Sequence, residues 1–168
     1  MDSLEIRQGK NVGVYKNEKL TSLISMTGCG MLAADPTIPW KILPIDVSPM
    51  VLGEAVLNAL AKSTVMAPME FKMLATSGEV QVATDRNAEE ACQAFGYKNK
   101  AALYRNMRHC SIHLAQGKMK FKPWIHDKLY HWTGMQTEPD LVLAANISPE
   151  EIGNALLETF NRCINQVA

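Results

Sequence analysis

Residues 44 to 63 read PIDVSPMVLGEAVLNALAKS, and residues 144 to 163 read AANISPEEIGNALLETFNRC. The shared Ser-Pro, Gly, Ala and Leu at a constant offset mark an internal duplication. In each copy a short apolar run, Ile42 to Val47 or Val142 to Ile147, precedes Ser-Pro and then about four turns of apolar residues at helical spacing. This is the pattern of strand, turn and helix. Ser48 and Ser148 stand where an N-cap hydroxyl can accept from free helical N–H groups, and Pro49 and Pro149 stand at the first helical position, where no N–H is needed. Glu151 can complete a capping box with Ser148. Gly53 and Gly153 are poor helix formers in the second turn, so the close approach of another backbone is expected at both.

The copies differ on their outer faces. At 100° per residue, Glu150, Glu151, Asn154, Glu158, Asn161, Arg162 and Asn165 share about a third of a turn, and Ile152, Leu156, Phe160 and Ile164 fall outside it. The second helix is therefore expected at the surface with an acidic stripe. The first has Met50, Val51 and Ala61 where the second has Glu150, Glu151 and Asn161, so that face is either more deeply buried or covered.

Between the copies, residues 64 to 84 are poorly periodic and are expected to be loops with a short strand. Asp85 to Phe95 reads as a helix ended by Gly96, and Lys98 to Arg108 as another. CSIHLAQGKMKFKPW alternates about Gln116-Gly117, which suggests a hairpin. VGVYKNEKLTSLISM and GMLAAD suggest two or three further strands. The expected fold class is α+β: one mostly antiparallel or mixed central sheet of five to seven strands, with about four helices and two strand-turn-helix repeats. With 168 residues, 47% of them hydrophobic, the chain suffices for one core, and the whole of 1–168 is expected to form a single domain.

Seventeen basic residues balance seventeen acidic ones, so the whole molecule exerts no net pull on nucleic acid or anionic membrane. The N-terminal MDSLEIRQGKNVGVYK has no apolar run and no cleavage site, and no 18 apolar residues are consecutive. A cytoplasmic protein with buried free thiols at Cys29, Cys92, Cys110 and Cys163 is expected. Locally the charge is uneven: residues 98 to 128 hold eight basic residues against Asp127, whereas residues 129 to 168 hold five acids against Arg162. Solvated faces or an electrostatically matched partner surface would both account for this.

The residues offer little catalytic chemistry. His109 and His113 would stand about 13 Å apart on a strand, too far to share an ion, and Cys110 and His113 would point to opposite faces. Cys29 lies between glycines in TGCGM and could be a nucleophile on a tight turn, but no recognisable activating signature accompanies it; a strand-to-strand bend is the plainer reading. No phosphate-binding, cofactor-binding or metal-site motif is present. The basic segment 98 to 128, with Tyr97, Tyr104, Phe121 and Trp124, suits an RNA-binding module. In WIHDKLYHWTG, Trp124, Tyr130 and Trp132 are either core aromatics or anchors of an interface.

The stretches GCGMLAADP, ILPIDVSPMVLGEAVLNAL, FGYKNKAALYRNMRHCSI, HDKLYHW and LVLAANISPEEIGNALLETFNRC together resemble a family of bacterial immunity proteins from contact-dependent growth inhibition systems. The similarity spans roughly residues 15 to 165. It implies a cytoplasmic, non-catalytic protein that binds and neutralises the C-terminal toxin domain of a cognate cell-surface effector. In several such systems the toxin is a nuclease, often acting on transfer RNA. No cofactor, membrane or direct nucleic-acid contact is implied, and a host factor could join through the toxin. A nuclease must hold phosphates and so presents a basic cleft. The best-matched surface is Glu150, Glu151 and Glu158 with Glu138 and Asp140 nearby, joined by the aromatics Trp124, Tyr130 and Trp132.

Overall fold

The computed structural model describes residues 3–168. Met1 and Asp2, the start of the stretch read for a leader, lie outside them. A short helix, α1 (Ser3–Gln8), leads into an antiparallel hairpin of β1 (Lys10–Lys16) and β2 (Leu20–Cys29). There follow β3 (Met31–Ala34), β4 (Lys41–Pro44), α2 (Pro49–Lys62) and β5 (Thr64–Val65). Three helices come next: α3 (Pro68–Ser77), α4 (Glu79–Phe95) and α5 (Lys100–Tyr104). The first run of elements then recurs as β6 (Arg108–Ala115), β7 (Lys118–Lys128), β8 (His131–Gly134), β9 (Leu141–Ala144), α6 (Pro149–Arg162) and β10 (Ile164–Asn165).

The duplication is thus far longer than its sequence trace. In the first half β3 and β4 join β2 antiparallel and β5 joins it parallel; in the second β8 and β9 join β7 antiparallel and β10 joins it parallel. Matching residues stand 98 apart in the hairpins, as Lys10 and Arg108 or Leu20 and Lys118 do, but 100 apart at Pro49 and Pro149. The second half takes up its two extra residues at the β7–β8 turn, where the register shifts between His126 and Lys128. β1 and β6 pair antiparallel, with Gly13 opposite Ser111. Those two residues are equivalents of one another, so a pseudo-two-fold axis passes between them.

The same axis relates α2 and α6. A Cβ on Gly53 would overlap the Pro149 carbonyl, and one on Gly153 would overlap the Pro49 carbonyl, so the backbones meet as the two glycines suggested. Both helices begin as their sequences dictate. The Ser48 hydroxyl accepts from the Val51 N–H, and Ser148 accepts from Glu151 while the Glu151 carboxylate accepts from the Ser148 N–H.

Side-chain alternation gives the sheet two faces. Val12, Val14, Leu23, Ile112, Met119 and Phe121 point toward α2 and α6 and pack on Leu52, Val56, Leu60, Ile152, Leu156 and Phe160. Burying each large apolar side chain here contributes about 2 kcal/mol. On the opposite face a smaller cluster joins Leu20 to Ala88, Ala91, Cys92, Leu103 and Met107, under α4 and α5.

The α+β class and the mostly antiparallel sheet agree with expectation: six strands lie on the main path, β10-β7-β6-β1-β2-β3, and four short strands flank it. The helices number six among the described residues, where about four were expected. Residues 64 to 84 are not loops beyond β5, because α3 and the first turns of α4 occupy them. Only Leu74 of α3 is buried, and Met69, Met73 and Val82 are exposed, so no one-sided apolar pattern announces these turns. The helix expected over Lys98 to Arg108 is confined to α5. Asn99 caps it by accepting from the Ala102 N–H, and Arg108 already belongs to β6. The hairpin at Gln116-Gly117 is present, with positive φ at both residues (51° and 72°), as a tight two-residue turn requires.

Candidate functional site: an aromatic cleft and two charged faces

On the sheet face away from α2 and α6, the helices α4 and α5 stop short of the strands and leave a cleft of about 510 Å³. Its floor includes Tyr15, Ser22 and Ile24; Gln81, Thr84, Asp85 and Tyr104 form one wall, and Tyr130 and Trp132 contribute to another. The aromatics brace one another. Trp132 stacks on His126 at 4.4 Å and meets Tyr15 edge-on at 5.2 Å, while Tyr15 stacks on His109 at 4.2 Å. Tyr104 and Tyr130 meet edge-on at 5.4 Å, and the Trp132 indole N–H donates to the Met107 carbonyl.

Burial decides the protonation of this site. It pushes the Tyr15 phenol up to about 12 and Tyr104 upward too, and it pushes His109 down to about 4, against a smaller opposing effect of the Val14 carbonyl. These groups are neutral at physiological pH, so the cleft is a fixed hydrogen-bonding surface. At its rim the Asp85 carboxylate accepts from Lys100 Nζ (2.8 Å) and Gln81 Nε2 (3.0 Å), which hold it below its usual range. Ser22 is 1% exposed and its Oγ has no hydrogen-bond partner among the described residues.

The residues anticipated as one partner surface divide between two. Tyr130 and Trp132 line the cleft, and Trp124 lies beside it, 5.2 Å from the His109 ring and donating to Ser111 Oγ. Glu150, Glu151 and Glu158 are on α6, across the sheet, while Glu138 and Asp140 are exposed in the β8–β9 connection. Two of the helix acids are locally engaged: Glu151 in its capping box and Glu158 with Arg162 at 2.8 Å. The cleft itself draws on residues from 15 to 132, and members such as Ser22 and Thr84 are ordinary polar residues in the sequence.

The basic segment is also dispersed. Lys100 serves Asp85, and the Arg105 and Arg108 guanidiniums donate to the carbonyls of Ala168 and Phe160. Lys118, Lys120 and Lys122 alternate along β7 instead. His109 and His113 lie on one face of β6, with Cys110 on the other. Cys29 ends β2 ahead of a turn at Gly30 (φ 81°), half-buried, where a buried side chain was expected, and Cys92, Cys110 and Cys163 are buried; all four are free. No helix among the described residues is long and apolar enough to cross a membrane.

The aromatic cleft on one sheet face and the exposed acids of α6 on the other are surfaces suited to docking a partner protein. The comparisons agree in kind. The family model described as CDI immunity protein, CdiI, matches residues 10–163, from the first residue of β1 to the C-cap of α6. Immunity protein CdiI-YPIII of Yersinia pseudotuberculosis serotype O:3 (strain YPIII) is 31% identical over 132 residues, covering 70% of this chain and 75% of that protein. The solved structure of a protein of unknown function, NMB0488 from Neisseria meningitidis, superposes with a TM-score of 0.84 at 32% identity, covering 92% of this chain and 94% of the other. A CdiA-CT/CdiI toxin and immunity complex from Yersinia pseudotuberculosis contains a chain that shares the fold, with a TM-score of 0.81 at 24% identity, over 92% of this chain and 97% of that one. The chain belongs to the CdiI family of immunity proteins of contact-dependent growth inhibition, whose members neutralise a toxin by binding and not by catalysis.

Proposed function

We propose that this protein acts in the cytoplasm as a single folded unit, binding the C-terminal toxin domain of its cognate CdiA-type effector and blocking it, and that the toxin is a nuclease, with transfer RNA a fitting substrate. Family membership supports the toxin as partner. The observation that carries the mode of binding is the cleft: preformed and aromatic, with the Asp85–Lys100 ion pair at its rim. Interfaces draw most of their energy from aromatic anchors and desolvated pockets of this kind. The acidic face of α6, with Glu138 and Asp140, is a second contact suited to the basic cleft that a nuclease needs, and it supports the nuclease reading.

The two surfaces can be tested separately by calorimetry with the purified toxin domain. Gln81→Trp fills the cleft from its exposed rim and Tyr130→Ala removes an exposed anchor; each is expected to weaken binding by at least about tenfold. Reversing Glu150, Glu151 and Glu158 to lysine is expected to slow association and to reduce its dependence on salt. Unchanged affinity in the first pair, with the fold retained, removes the cleft from the interface. Unchanged binding in the triple variant removes α6.

A further inference from the structure

The duplication allows one surface to be compared with its own copy. In the first half, Leu20, Ser22 and Ile24 rise from β2 on the cleft side; Leu20 is covered by α4 and α5, while Ser22 and Ile24 floor the cleft. The equivalent positions on β7 are Lys118, Lys120 and Lys122. The end of α1 reaches His113 beside Lys120, where the Arg7 carbonyl meets the His113 ring, and Lys118 and Lys120 remain exposed. Residues two apart on a strand are spaced about 6.8 Å, so the three lysines form a ladder of side chains, with the Lys122 ammonium turned over the Trp124 ring. Their cross-strand neighbours are Ala115, His113 and Ser111 on β6 and Ala144 and Val142 on β9. Those neighbours are small or uncharged, none is acidic, and none of the three ion pairs among the described residues involves the ladder. Trp124 continues the same row, partly buried against His109 with its N–H on Ser111 Oγ, and Lys122 Nζ lies 5.0 Å from its ring centre.

We propose that this open face binds the phosphodiester backbone of a single-stranded nucleic acid through Lys118, Lys120 and Lys122, with Trp124 as an adjoining stacking surface. A neutral molecule can do this because the field that matters is local. The composition favours a polyanion over a protein, since lysine is depleted from protein interfaces and serves as a point-charge ligand for phosphate. An open sheet combining cations with an aromatic ring is a common platform for single strands. This site lies apart from the α6 acids and does not depend on the toxin reading.

The test is fluorescence anisotropy of labelled single-stranded RNA and DNA oligonucleotides titrated with the full chain. Three phosphate contacts predict a log–log salt slope of about −2, or an affinity loss of roughly 20-fold between about 50 and 200 mM salt. RNA and DNA should bind alike, because the backbone is what is read. Lys118→Glu with Lys120→Glu, and the triple variant adding Lys122→Glu, should each lower affinity at least tenfold, while arginine at the three positions preserves it. A charge-matched control at Lys41, Lys62 and Lys72, all exposed elsewhere, should leave it within about twofold. The proposal is overturned by an absence of binding up to about 100 μM protein at the lowest salt, or by an equal loss in the control. It is likewise overturned if the ladder variants keep nucleic-acid affinity and lose toxin affinity instead, since the face is then a protein contact.

Discussion

His109, wedged between Tyr15 and Trp124, ties stability to pH. Its folded pKa of about 4 lies below the ordinary value of 6.5, so the unfolded chain binds more protons between those limits. The stabilisation it contributes is whole above pH 6.5 and is lost as pH falls toward 4. Urea unfolding should therefore show stability dropping by about 2 kcal/mol from about pH 7 to about pH 5, and a His109→Gln variant, whatever its absolute stability, should lose that slope. The thiols make a second residue-scale prediction. Cys29 is half-buried and the other three cysteines are buried, so a thiol reagent should label Cys29 first and reach the rest only at the rate of unfolding. Cys29→Ser should leave toxin neutralisation intact, as expected for a binding protein; loss of neutralisation in a folded variant would revive a chemical role for the thiol.

At the scale of elements, the α2–α6 crossing is the fold's tightest joint. Gly53→Ala or Gly153→Ala would gain about 1 kcal/mol in helix propensity, yet each new methyl group meets a proline carbonyl on the facing helix. Overpacking of this kind costs about 3 kcal/mol, so a net loss of about 2 kcal/mol is expected in denaturant melts of either variant, similar in the two because the contacts mirror each other. These helices were the legible part of the chain. Their code is local: a Ser-Pro start, a glycine for the contact and apolar residues at 3.6 spacing. The duplicated strands were not legible as duplicates, because Leu20, Ser22 and Ile24 had become Lys118, Lys120 and Lys122 once one copy was covered and the other left open. The helix α3 was hidden for a related reason: its methionines face water, and burial is what writes periodicity into a sequence. Within the site, Tyr130 and Trp132 could be found as aromatics in a cluster, but Ser22 and Asp85 acquire meaning only when separate elements are brought together.

For the molecule as a whole, the halves are interlocked by β1 against β6 and by α2 against α6, so neither buries its core without the other. Thermal unfolding followed by far-UV circular dichroism and by the near-UV signal of the tryptophans should give coincident transitions; separated ones would mean that the halves melt independently. Residues 66 to 107 enter between these halves where β5 ends and leave where β6 begins. That one stretch supplies Gln81, Thr84, Asp85, Lys100 and Tyr104 to the cleft, and it stands outside the pseudo-symmetric frame and its glycine crossing. One wall of the proposed binding cleft can therefore vary as a cassette between the two seams, while Tyr15, Ser22, Tyr130 and Trp132 stay fixed by the paired halves that carry them.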